Sequence, residues 1–173
     1  VLWIDLKNRG IGTTQPAKDL WTLIGQELHR AEVLRSHMSN QDTIINHVRG
    51  WLDGDPGRRI LLLLDEADAF LEQDGRPVDS SKNAFPVLSS LKGLMFDTDR
   101  RFKVVFAGLH NVQRAARDAN TPIAHLGTPV NIGPLLDNGQ WRHAKRLVER
   151  PLTALGFRFR TPDLSMRILS HTN

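Results

Sequence analysis

The sequence predicts an α/β fold, a mostly parallel sheet flanked by helices. Three observations carry this. Arg59 to Leu64 is a strand-length run without polar alternation, the pattern of a central strand covered on both faces. Two more short apolar runs, Val1 to Leu6 and Phe102 to Ala107, stand apart from it. Stretches with helical spacing separate the three, and strands joined through helices run parallel.

In chain order, the strand Val1 to Leu6 gives way to a Gly10-Ile11-Gly12-Thr13-Thr14 turn, and Pro16 stands where a first helical residue would. Leu20, Leu23, Ile24, Leu28 and Ala31 then recur at helical spacing. Ser39 or Asn40 is placed to cap a second helix running through Trp51 and Leu52, closed by the turn residues Asp53-Gly54-Asp55-Pro56-Gly57. After the central strand, a polar loop from Glu72 to Ser81 leads to a helix over Val87 to Phe96. The strand at 102–107 is followed by a helix at 110–118, and Thr128 to Ile132 is expected as a short last strand. Asn138 is expected to cap a long helix through Arg150, and Thr161-Pro162-Asp163 to open a final one. The expected division is an α/β core over residues 1–136 and the start of a helical lid over 137–173.

Composition narrows the function classes. A chain of 173 residues, 40% hydrophobic, can bury one ordinary core, which excludes disorder throughout. The longest purely apolar run, Ile60 to Leu64, is far too short to cross a bilayer. Net charge is +4, yet the isoelectric point is about 10.0. With no Cys and no Tyr, little besides six Lys titrates between neutrality and that point, so a small basic excess keeps it high. Basic residues interleave with 14 Asp and 5 Glu, so the expectation is a mixed solvated surface. Absence of Cys excludes disulfides, thiolate metal sites and a cysteine nucleophile, and fits a reducing cytoplasm. The sequence shows no secretory leader, and it reads as a piece of a longer protein.

Chemistry is expected beyond the carboxyl ends of parallel strands. There Ile60-Leu61-Leu62-Leu63-Leu64-Asp65-Glu66 has the form of a Walker B segment. The apolar residues anchor the strand, Asp65 at its tip suits Mg²⁺, and Glu66 suits polarisation of an attacking water. In the neighbouring strand, Ala107-Gly108-Leu109 ends in His110-Asn111, either of which suits a hydrogen bond to a γ-phosphate or ordinary capping of the next helix. Arg142, Arg146 and Arg150 line one helix face, suited to phosphate, to nucleic acid, to a neighbouring subunit or to solvent. Arg114 and Arg117 follow that neighbouring strand, on the helix after it.

The order of strand, helix, Asp-Glu strand, helix, sensor-like strand and helix resembles the P-loop ATPases of the AAA+ and STAND groups. The tail, with Ile132-Gly133-Pro134-Leu135, Trp141 to Arg150 and Leu155-Gly156-Phe157-Arg158-Phe159, looks like the passage into the lid of bacterial regulatory ATPases. The resemblance implies ATP and Mg²⁺ as cofactors, with Asp65, His110 and Asn111 binding nucleotide and Glu66 catalytic. It also implies nucleotide-switched self-assembly or partner binding. The phosphate loop G-x-x-x-x-G-K-[ST] is absent, since no Gly-Lys-Ser or Gly-Lys-Thr occurs, and is expected upstream of Val1 on a strand central to the sheet. The alternatives are a non-catalytic scaffold of the same shape and an ATPase-controlled nucleic-acid-binding regulator.

Asp65-Glu66-Ala67-Asp68 also spells the DEAD-box helicase motif, but the next strand ends in Ala-Gly-Leu-His and not in a Ser-Ala-Thr element, so Asp68 is expected as an exposed residue opening a helix. Metalloprotease and serine-hydrolase signatures are missing. Trp3, Trp21, Trp51 and Trp141 are too scattered for a base-stacking platform.

Overall fold

A computed structural model describes residues 1–76, 84–117, 121–130, 132–133, 136, 139–161 and 163–171. The chain divides into two compact units, Val1–Pro129 and Val130–Asn173, a junction earlier than the one expected at 136.

The first unit is an α/β layer. Three parallel strands, β1 (Leu2–Asp5), β2 (Ile60–Asp65) and β3 (Phe102–Phe106), lie in that order. Helices α1 (Leu20–Arg30) and α2 (Gln41–Asp53) connect β1 to β2, and α3 (Asp68–Asp74) and α4 (Pro86–Asp97) connect β2 to β3. Helix α5 (His110–Arg117) follows β3.

Sequential strand order with right-handed crossovers puts both helical connections on one sheet face. On that face the cross-strand rows Leu2–Leu62–Val104 and Ile4–Leu64–Phe106 meet the helices. Helix α1 contributes Leu20, Ile24 and Leu28, and α2 contributes Ile44, Val48 and Leu52, each set at four-residue intervals along one stripe. Asn40 caps α2 as expected, its side chain accepting the Thr43 N–H at 3.0 Å. Gly25 lets the two segments close, since a Cβ there would lie 2.0 Å from the Met38 carbonyl oxygen.

The central strand departs from expectation. It is central, but only one face is covered: along β2 buried residues alternate with half-buried Leu61 and Leu63. The row Trp3–Leu63–Val105 on the other face leaves Trp3 58% and Val105 48% exposed. A run of leucines carries no alternation by which one-sided cover could be recognised.

Three other boundaries change. Thr128 to Val130 and Ile132 belong to no strand. Glu72, expected in a loop, lies in α3, which begins at Asp68 because that side chain is anchored elsewhere in the fold. In the second unit α6 (Trp141–Ala154) runs past Arg150 and through Pro151, and α7 (Leu164–His171) follows. Asn138 lies outside the described residues, and Gln140 holds the N-cap position of α6 without a capping side-chain bond. Within this unit Ala144, Ser165 and Leu169 are buried, and the Ser165 hydroxyl donates to Glu149 Oε1 at 2.8 Å.

Candidate functional site

The carboxyl edge of the sheet gathers three loops. Leu6 N–H donates to the Asp65 carbonyl at 3.0 Å, Ala67 N–H to the Ala107 carbonyl at 3.0 Å, and Ala107 N–H to the Leu64 carbonyl at 2.8 Å. Backbone pairing therefore continues past the strand ends and fixes the loops after β1, β2 and β3 to one another.

Asp65 ends β2 half-buried, directly across from Asp5 at the end of β1. Its Oδ1 accepts the Glu66 N–H at 2.9 Å, a local bond that leaves Oδ2 without a protein donor among the described residues. Glu66 is exposed, with no hydrogen-bond or ion-pair partner among the described residues, and its φ is +53°. A side chain in the left-handed region costs about 1–2 kcal/mol, a strain kept where surrounding structure imposes it. Here the two flanking residues impose it: Asp65 is held in the β2 ladder and Ala67 is bonded to Ala107.

Asp68 carries more of the local order than the sequence indicated. It is half-buried, not exposed. Its Oδ2 accepts the Leu109 N–H at 2.7 Å and its Oδ1 the Asn111 N–H at 2.6 Å, so it caps the start of α5 from another helix. Gly108 is required beside it, because a Cβ there would lie 2.5 Å from Asp68 Oδ2. Removing this carboxylate by Asp68→Ala is expected to cost about 1–2 kcal/mol. The check is urea denaturation, with faster amide hydrogen exchange at Leu109 and Asn111; unchanged exchange there would refute the capping role.

His110 and Asn111 part company. His110 is exposed at the first turn of α5. The Asn111 amide is engaged on both sides: its Nδ2 donates to the Asp68 carbonyl at 3.3 Å and its Oδ1 accepts from Arg114 at 2.8 Å. Of the two meanings open in the sequence, Asn111 thus has a structural one, while His110 stays available at the site. Arg114 is tied to that amide, and Arg117 is exposed at the end of α5.

The glycine turn after β1 completes the surround. Gly12, at φ +85°, lies against the backbone of Ala69 and Phe70, where a Cβ would come within 2.5 Å. Asp5 accepts from Asn8, its Oδ1 taking the backbone N–H at 2.9 Å. Asp5, Asp68 and Gly12 were absent from the sequence reading of the site. A register pairing, a long-range cap and a close approach leave no local pattern.

A cavity of about 270 Å³ lies between α3 and α5, lined by Leu71, Gly75, Phe85, Asn111, Arg114 and Thr121 among others. It touches Asn111 and Arg114 but neither Asp65 nor Glu66, so it is distinct from the carboxylate pair. Among the described residues no three His, Cys, Asp or Glu side chains converge to hold a metal ion, and no helix is long and apolar enough to cross a membrane.

Comparison of the chain with protein-family models, with curated proteins and with solved structures finds no match.

Proposed function

We propose that this chain is part of an ATP-binding and ATP-hydrolysing regulatory module of the P-loop type, acting in the cytoplasm. The observation that carries the reading is the Asp65–Glu66 pair at the carboxyl end of the middle parallel strand, with Glu66 unpaired among the described residues and in a strained backbone conformation between two tethered loops.

The donor chemistry fits Mg²⁺ in part. Asp65 supplies a hard carboxylate oxygen of the kind Mg²⁺ takes when nucleotide phosphates and water complete its shell, a mode that needs no all-protein cage. When bound, Mg²⁺·ATP would supply the electrophilic phosphoryl group. Glu66 would accept a proton from the attacking water, and His110 would hydrogen-bond a terminal phosphate oxygen.

No phosphate loop occurs among the 173 residues. The reading assigns that loop to a strand and helix added at the outer edge of β3, which pairs with no strand among the described residues. Such an addition would also cover the bare row Trp3–Leu63–Val105, since parallel sheets are ordinarily covered on both faces. Helices α6 and α7 then correspond to the start of the lid, and nucleotide state would govern self-assembly or binding of a protein partner.

The test is Glu66→Gln in the intact parent protein. Nucleotide binding is expected to persist while turnover falls by at least about 100-fold. Undiminished hydrolysis would remove the enzymatic assignment.

A second reading, a non-catalytic scaffold of the same shape, is favoured by the structural engagement of Asn111 and the missing phosphate loop. Absence of ATP binding by the parent protein would select it.

A further inference from the structure

The basic excess is not spread as the sequence suggested. Val1–Pro129 contains 16 Lys and Arg against 16 Asp and Glu, whereas Val130–Asn173 contains 7 against 3, so the second unit carries the whole net charge. Within it the charge is sorted by helix face. Ala144 is buried and Lys145, Val148, Glu149 and Leu152 are partly covered, which defines the inward side of α6. Arg142, His143, Arg146, Leu147 and Arg150 are exposed on the opposite side.

The only acid of α6, Glu149, sits on the inward side. Its carboxylate accepts from Ser165 at 2.8 Å and pairs with Lys145 at 3.6 Å. The outward side therefore carries no acid. None of Arg142, Arg146, Arg150, Arg158, Arg160 and Arg167 has an acidic partner among the described residues, and all six are exposed. Asp163 is the other described acid of the unit, its carboxyl held below the usual range by the Thr161 side chain.

We propose that the outward face of α6 binds the phosphodiester backbone of duplex nucleic acid. Three arginines at four-residue intervals span about 12 Å of helix, and duplex DNA presents about one charge per 1.7 Å of its axis. Six arginines to one lysine in this unit favour phosphate, which the planar guanidinium engages through two parallel hydrogen bonds. Arg142 is also held against the Trp141 ring, 5.4 Å from its centroid, which limits its wandering on an exposed surface. An anionic membrane is the less suitable occupant. A helix lying in a bilayer interface needs a broad apolar face, whereas the large apolar side chains that α6 leaves exposed are Leu147 and Trp141, the latter against Arg142, and Val148 and Leu152 are partly covered. This inference does not depend on the ATPase reading.

The experiment is fluorescence anisotropy of a labelled mixed-sequence DNA duplex with the full chain across a salt series. Three phosphate contacts predict a slope of log K against log salt of about −2.7, or roughly 40-fold weaker binding at 200 mM than at 50 mM. The R142Q/R146Q/R150Q variant is expected to bind at least about tenfold more weakly at low salt and to flatten the slope by about 2.7. A control variant, R9Q/R35Q/R117Q, removes equal charge from exposed positions of the first unit and is expected to stay within about twofold of the parent. Both variants change exposed side chains only, and their circular dichroism verifies the fold. The proposal is overturned if the parent fails to bind duplex at low salt, or if both variants weaken binding alike. It is also overturned if vesicles of phosphatidylserine and phosphatidylcholine, but not duplex, capture the chain through these arginines.

Discussion

Phe70→Ala is expected to lower the unfolding free energy by about 3–5 kcal/mol, the range for deleting a buried aromatic ring. Phe70 is fully buried in α3, and its ring lies parallel to that of Phe106, with centroids 6.2 Å apart. It thus joins the helix that follows the Asp65–Glu66 turn to the end of β3, and its backbone is where Gly12 makes its close approach. A cavity there loosens all three loops of the candidate site together. With total stabilities of about 5–15 kcal/mol for ordinary domains, the loss is a large share. In urea the midpoint should fall with the slope unchanged, and Phe70→Leu should recover most of the loss. A loss under about 1 kcal/mol would show that the ring is not a packing element.

Asp74→Ala is expected to cost about 2–3 kcal/mol, because two buried N–H groups lose their acceptor. The carboxylate is 3% exposed and accepts the N–H groups of Val87 at 3.1 Å and Leu88 at 2.9 Å, capping α4 from the end of α3. Burial pushes its carboxyl above the ordinary aspartate range, against the opposing pull of those two N–H groups. For an acid raised on folding, the unfolded chain ionises first as pH increases. The contribution of Asp74 is therefore fully present below the unfolded value of about 3.9 and is lost as pH climbs through the higher folded value. Subtracting the pH–stability curve of Asp74→Asn from that of the parent isolates this term. It should decline with rising pH above about 4, and a difference that rises instead would contradict the burial account.

The legible parts of the fold were those written in local periodicity. The stripe Leu20–Ile24–Leu28, a cap at Ser39 or Asn40 ahead of the second helix and the three strand segments follow from neighbouring residues acting on one another, while the stripe Ile44–Val48–Leu52 emerged with the packing of α2. The Asp65–Glu66 turn was legible for the same reason, an apolar strand ending abruptly in two acids. The second role of Asp68 was not, since its bonds to Leu109 and Asn111 reach more than forty residues along the chain. The division of Asn111 from His110 likewise depends on which side chain meets Asp68 and Arg114, and adjacent polar residues look alike until packing separates them.

The sequence by itself determined that three apolar strands alternate with helices and that the middle one ends in a carboxylate pair. Those properties depend on residue type and spacing. Tertiary structure decided which face of β2 is covered, that Glu66 adopts a left-handed conformation, and that Glu149 turns inward while the arginines of α6 turn out. Each of these is set by contacts between segments distant along the chain, and no local spacing encodes them.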